Sequence, residues 1–190
     1  MAIDLGTGDG RFVVESARRH PEKLYLGVDA NPRPLEKISE RIHRRPAKGG
    51  LPNVLFVQAA VEALPADLDG VASEVYIHFP WGSLLRAVAA GDPMILGSLR
   101  RICAPGALLR VVIGMDPNRD RTELERLGIE PLSLAMIDAA LAPRYLEAGF
   151  EILERRALSA SDWAQLETSW AKRLRGDKGR SVFFIAARAV

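Results

Sequence analysis

The residues best placed to do chemistry stand near the start of the chain. In DLGTGDGRF, Asp4 to Phe12, glycines at positions 6, 8 and 10 separate an apolar run from an amphipathic one. Without side chains they let the backbone turn tightly and approach a ligand, and a helix starting behind them offers unpaired N–H groups. The spacing is G-x-G-x-G. A dinucleotide fingerprint, G-x-G-x-x-G, would need glycine where Arg11 stands, so a pyrophosphate is disfavoured. Asp4 points the same way, because a carboxylate beside the turn repels phosphate and attracts an ammonium. S-adenosylmethionine carries both an ammonium and a sulfonium. Asp29 closes the next apolar run, LYLGVD, about twenty residues on, where such folds place a ribose-binding carboxylate. After a third run, NVLFVQ, the segment QAAVEALP has Ala60 in a small-residue turn with room for an adenine, and Glu62 as an acceptor for its amino group.

A second constellation is VYIHFPWGSLLRAV, Val75 to Val88, which reads as a strand, then Phe79-Pro80-Trp81, then a helix. Proline ends the ladder, and the largest apolar side chain follows at a strand end, where this kind of fold meets solvent or ligand. Trp170 stands in a polar connection between ETS and the basic AKRLR; Trp163 is read as packing. Positive charge gathers twice: at Arg41, His43, Arg44, Arg45 and Lys48, and at Lys172, Arg173, Arg175, Lys178 and Arg180. Both clusters are expected beside one rim of the sheet, where they could meet phosphates. His20, His43 and His78 show no metal-ligand spacing with one another or with Cys103, so no metal is expected. His78 is a candidate for the cofactor pocket. Cys103, at a helix end in LRRICAPG, reads as an inert core thiol.

The elements that must position these residues alternate. Strands are expected at AIDL, LYLGVD, NVLFVQ, EVYIHF, ALLRVVIG, FEILERRAL and SVFFIAARA, with helices over residues 10–19, 34–44, 82–89, 94–102 and 134–148. Alternation of this kind builds a doubly wound, mainly parallel α/β sheet. The last two strands lack a good crossover helix between them, so the final strand is expected to be antiparallel. With 190 residues, 48% hydrophobic and 26% charged, the chain suits one domain spanning residues 1–190. No apolar run reaches membrane-span length, a single cysteine excludes a disulfide framework, and the net charge is only +2. A cytoplasmic protein is expected, with no membrane contact, and RNA contact must come from local clusters rather than total charge.

DLGTGDG, GVD and FPWGSLL resemble the class I S-adenosylmethionine-dependent methyltransferases, and more narrowly the Kam-type aminoglycoside-resistance enzymes that methylate N1 of adenine 1408 in 16S rRNA. ETSWAKRLRGDKGRSVFF is similar to theirs as well. The resemblance implies a Rossmann-like fold, S-adenosylmethionine as cofactor with S-adenosylhomocysteine as product, a monomer, and the 30S subunit as partner. It implies that Asp4, Gly6, Thr7, Gly8, Gly10, Asp29, Ala60, Glu62, His78, Phe79 and Ser83 hold the cofactor. Trp81 and Trp170 would sandwich a flipped adenine beside Pro80, without a general base. Arg41, Arg44, Arg45, Lys48, Lys172, Arg173, Lys178 and Arg180 would contact RNA, Arg180 gripping a phosphate. Such enzymes carry a short N-terminal extension before the first strand, whereas three residues precede Asp4 here. The alternatives are a tRNA guanine-N7 methyltransferase, or a domain that binds S-adenosylmethionine without transferring a methyl group or acts on a small metabolite.

Overall fold

A computed structural model describes residues 1–163, 168–173 and 179–190, with the side chains of Trp163, Trp170 and Arg173 outside the description. Seven strands form one sheet in the order β3-β2-β1-β4-β5-β7-β6. They are β1 (Ala2–Leu5), β2 (Tyr25–Asp29), β3 (Val54–Gln58), β4 (Ala72–His78), β5 (Cys103–Met115), β6 (Phe150–Ala157) and β7 (Ser181–Ala189). β1 to β5 are mutually parallel, and β7 runs antiparallel to both β5 and β6, as the sequence leads one to expect.

Alternation along the strands splits the core between two faces. On one, Val13, Val14 and Ala17 of α1 (Arg11–Arg19) and Ile42 of α2 (Glu36–Ile42) bury Ala2, Tyr25 and Val54. On the other, α3 (Gly82–Ala90) and α4 (Pro93–Ile102) cover Ile3, Leu5, Val75 and Ile77 with Leu85, Val88, Leu96 and Leu99. Asp92 caps α4 by accepting from the amides of Met94 (3.1 Å) and Ile95 (3.3 Å), and Pro93 fills the first helical position, where no N–H is missed.

Three differences from the sequence reading have physical causes. The helix expected over 134–148 is interrupted: α6 (Leu134–Met136) and α7 (Ala142–Glu147) flank a π-turn, Ile137–Leu141. Pro143 lies just beyond, and a widened turn accommodates a ring that cannot donate to the preceding carbonyls. Arg121–Leu127 forms an unexpected helix, α5, ended by Gly128 at φ 64°. Its apolar contribution is small, so hydrophobic periodicity does not reveal it. Two short helices, α8 (Ala160–Trp163) and α9 (Ser169–Arg173), stand in the connection where no good crossover helix is expected.

β1 and β4 are adjacent, and from them the chain winds outward in opposite directions. A doubly wound sheet opens a crevice at such a switch point, beyond the carboxyl ends of the strands. Leu5, Asp29 and His78 are those ends.

Candidate active site

Two adjoining clefts occupy the crevice, and the glycine loop lines both. The larger, about 280 Å³, is bordered by Gly6, Gly8, Asp29, Ala60, Glu62, Phe79, Pro80, Trp81 and Ser83. The smaller, about 170 Å³, is bordered by Asp4, Gly6, Thr7, Gly8, Phe12, His78, Thr168 and Ser169. The expected cofactor residues therefore gather in one place, with one exception. Gly10 lies in neither cleft; a Cβ there would stand 2.6 Å from the Phe56 ring, so its role is to let the loop close onto β3. Thr168 and Ser169 join the site unforeseen, because nothing local in a polar stretch far along the chain signals their return to β1.

The loop is held by acids. Asp29 accepts from the Gly8 amide at 2.8 Å through Oδ2 and from the Asn31 amide at 2.9 Å through Oδ1. It thus orders the glycine turn while bordering the larger cleft. Asp4 is only 5% exposed and lies 3.4 Å from His78 Nδ1. The His78 ring packs against Phe12 (centroids 4.5 Å apart) and stacks on Tyr76 (5.9 Å). Burial first, then a hydrogen bond to Glu74, push the Tyr76 hydroxyl well above its ordinary range, so it stays protonated. The Thr7 hydroxyl is buried without a hydrogen-bond partner among the described residues. An orphaned buried hydroxyl beside an acid is what a polar ligand would satisfy, and an ammonium near Asp4 together with a ribose near Asp29 suits this donor set.

The lip of the larger cleft looks different. Trp81 is 53% exposed at the lip of the larger cleft, on the turn between β4 and α3. The turn begins at Phe79, in the left-handed region at φ 49°, and ends at Gly82, φ 60°. The Phe79 amide donates to Val112 O at 2.8 Å. Glu123 of α5 holds the far side: the Arg126 guanidinium first, and also the Gly82 amide, keep its carboxyl below the usual range. The backbone of Trp170 lies in α9, next to Ser169, whose hydroxyl donates to Asp9.

The basic residues divide. Arg41, Arg44, Arg45 and Lys48 are exposed and make no ion pair among the described residues. They do not stand on the cleft rim, contrary to the expectation that both clusters would. Ile42 packs with the first residues of β1, β2 and β3, so this cluster lies at the strand-start end, the length of a five-residue strand, roughly 13 Å, from the level of Asp29. Lys172 is exposed on α9, near the cleft, while Lys178 and Arg175 lie outside the described residues. Arg180 is not an open phosphate ligand. Its guanidinium donates to Asp120 at 2.7 and 3.2 Å and to Gly114 O at 3.1 Å, with its side chain 10% exposed. Cys103 is buried, and that burial pushes its thiol up to about 11.

Sheet order, reversed seventh strand and an acid-held glycine loop define a class I S-adenosylmethionine-dependent methyltransferase. Comparison with known proteins narrows the class. The family model NpmA: 16S rRNA (adenine(1408)-N(1))-methyltransferase matches residues 1–189, and the chain belongs to that family. A 16S rRNA (adenine(1408)-N(1))-methyltransferase of Streptoalloteichus tenebrarius is 39% identical over 181 residues, which are 95% of this chain and 82% of the relative. The crystal structure of the aminoglycoside resistance methyltransferase NpmB1 superposes with a TM-score of 0.85 at 46% identity, covering 100% of this chain and 86% of the other. A Trp-to-Ala mutant of the Catenulisporales acidiphilia 16S rRNA (adenine(1408)-N(1))-methyltransferase, solved with cosubstrate SAM, superposes with a TM-score of 0.89 at 36% identity, covering 100% and 85%.

Proposed function

We propose that the chain transfers a methyl group from S-adenosylmethionine to N1 of adenine 1408 of 16S rRNA in the 30S subunit, and so confers resistance to kanamycin and apramycin. The observation that carries this reading is a half-exposed Trp81 standing directly beside a cleft suited to the cofactor. S-adenosylmethionine supplies an electrophilic methyl on a sulfonium. Adenine N1 is unprotonated near neutral pH, so its lone pair forms the new N–C bond as the C–S bond breaks, and no general base is required. What the chain must supply is position and tolerance of positive charge developing on the ring.

A base inside folded RNA has to be turned out and held by stacking. Trp81 offers one face, and Trp170, on the helix whose first residue borders the smaller cleft, the other, with Pro80 shaping the wall beside the methyl group. A phosphate presents the same two-oxygen fork as the carboxylate of Asp120, so Arg180 would grip a phosphate by exchanging partners rather than from an idle position. Lys172 and the strand-start cluster extend the footprint, and so long a surface suits an assembled subunit better than a short oligonucleotide.

The alternatives fare less well. A tRNA guanine-N7 enzyme would be expected to carry Asp-Pro between the proline and tryptophan equivalents, where Pro80 and Trp81 are adjacent. Transfer to an exocyclic amine needs an Asn or Asp acceptor before the proline, and His78-Phe79 stands there instead. Primer extension on 16S rRNA from cells expressing the chain tests the proposal. A stop at the 1408 position is expected; a folded protein that produces no stop there overturns the assignment.

A further inference from the structure

We propose that Phe79 and Gly114 form a positioning pair that sets the separation of the two walls of the base slot; this rests on the reading of Trp81 and Trp170 as those walls. Among the described residues Phe79 is the one non-glycine with positive φ. An L-residue there is strained, and such strain persists where the surroundings over-determine it. The sequence reading assigns Phe79 to the cofactor, and it does border the larger cleft. Its ring, however, belongs to a small apolar cluster separate from the two main ones, made with Val112, Ala171 and Val182 and flanked by Leu158 and Phe184.

That cluster joins two otherwise distant pieces of chain. Phe79 opens the turn that carries Trp81, and the fully buried Ala171 neighbours Trp170 in α9. Trp81 is half in solvent, so its direction is set mainly by backbone: the left-handed Phe79, Pro80, and Gly82 with its amide on Glu123. A seat on β5 fixes the ring's height. At Gly114 a Cβ would come 2.9 and 3.0 Å from two ring carbons of Phe79 and 3.3 Å from Arg180 Cδ. Glycine at 114 is therefore a spacing requirement. Any bulk there must lift the Phe79 ring, and with it both the Trp81 turn and the helix resting on Ala171.

Gly114→Ala is the direct test, since Gly114 touches neither cleft. Single-turnover methylation of 30S subunits should slow by about 10- to 100-fold, the scale on which an ångström of misplacement near reacting atoms acts. Affinities for S-adenosylmethionine and for the subunit should stay within about 3-fold, and the protein should still melt well above the assay temperature despite the strain of the added methyl. Adding Phe79→Leu, which trims the clashing ring, should restore part of the rate. In a Trp81→Ala background the Gly114→Ala loss should shrink, because one wall it displaces is already gone. Should Gly114→Ala fail to fold, Phe79→Leu alone decides: a slowed, folded enzyme with intact affinities supports the pair, and full rate overturns it. A folded Gly114→Ala enzyme at full rate also overturns it, as do rate losses that track melting temperature and multiply with Trp81→Ala. If Trp81→Ala itself is fully active, the base-slot reading falls; if Trp81→Ala is slow and Gly114→Ala is not, only the positioning pair falls.

Discussion

The two sides of the crevice are held by different means. Around the glycine loop polar groups hold one another: Gly8 and Asn31 donate to Asp29, Asp4 meets His78, and the bare Cα of Gly10 and Gly27 lets the Phe56 ring close in. Across the gap Trp81 stands half in solvent on a strained turn. A small ligand of fixed shape can be met by a prebuilt set of partners. A base drawn out of folded RNA needs an open face on which to arrive. One side is thus ordered by hydrogen bonds and the other by backbone geometry.

The sharpest way to break this comparison is Trp81→Ala. Methylation should fall by about 100-fold, with subunit affinity changed far less because phosphate contacts dominate it. Trp81→Phe should recover part of the rate. Kanamycin and apramycin resistance, checked by subunit binding and melting, gives the readout; full methylation would make Trp81 a bystander. On the other side, Asp29→Ala should weaken S-adenosylmethionine binding by about 1–3 kcal/mol, the cost of unpairing buried polar groups. Because Asp29 also holds Gly8, Asp29→Asn, which keeps an oxygen, should fall between. Calorimetry decides it, and unchanged affinity in folded Asp29→Ala removes Asp29 from the site.

Smaller effects should follow away from the crevice. Replacing Arg44 and Arg45 with Ala should lower subunit affinity and flatten its log–log salt dependence by about 0.7–0.9 for each phosphate the protein no longer neutralises. Cofactor affinity should not move, and an unchanged salt slope would place the RNA elsewhere. Cys103 gives the smallest signal. Its native thiol is pushed up to about 11 against an ordinary value of 9.0, so the unfolded chain loses this proton first as pH rises. The stability it contributes is intact below pH 9 and lost on the way to 11. Melting curves across that window should show a shallower decline for Cys103→Ala.

Much of this was legible in one dimension, for identifiable reasons. Asp4, the loop glycines and Asp29 are neighbours along β1 and β2, so local turn chemistry and strand ends reveal them. The reversed last strand could be read from the missing crossover helix. Gly114 could not: an ordinary strand glycine becomes informative only when Phe79 is seen above it. Arg180 looked like a surface cation because its partner, Asp120, is distant in sequence. The strand-start position of Arg41 to Lys48 likewise depends on where α2 ends relative to the sheet, which charge spacing does not encode.

The reversal of β7 has one more consequence. Ala157 pairs with Phe183, and the Leu158 amide donates to Val182 O at 2.7 Å, so the chain leaves and rejoins the sheet on neighbouring rungs of one antiparallel ladder. Everything between, Trp170 and the second basic cluster included, is topologically the loop of a long hairpin. Strand order does not depend on this segment, so its length and composition can change without rethreading the sheet, while Ser169 ties it to Asp9 of the glycine loop. Within this fold the segment beside the smaller cleft is therefore the one free to vary without rethreading the sheet, whereas the glycine loop and Asp29 change only with the sheet's centre.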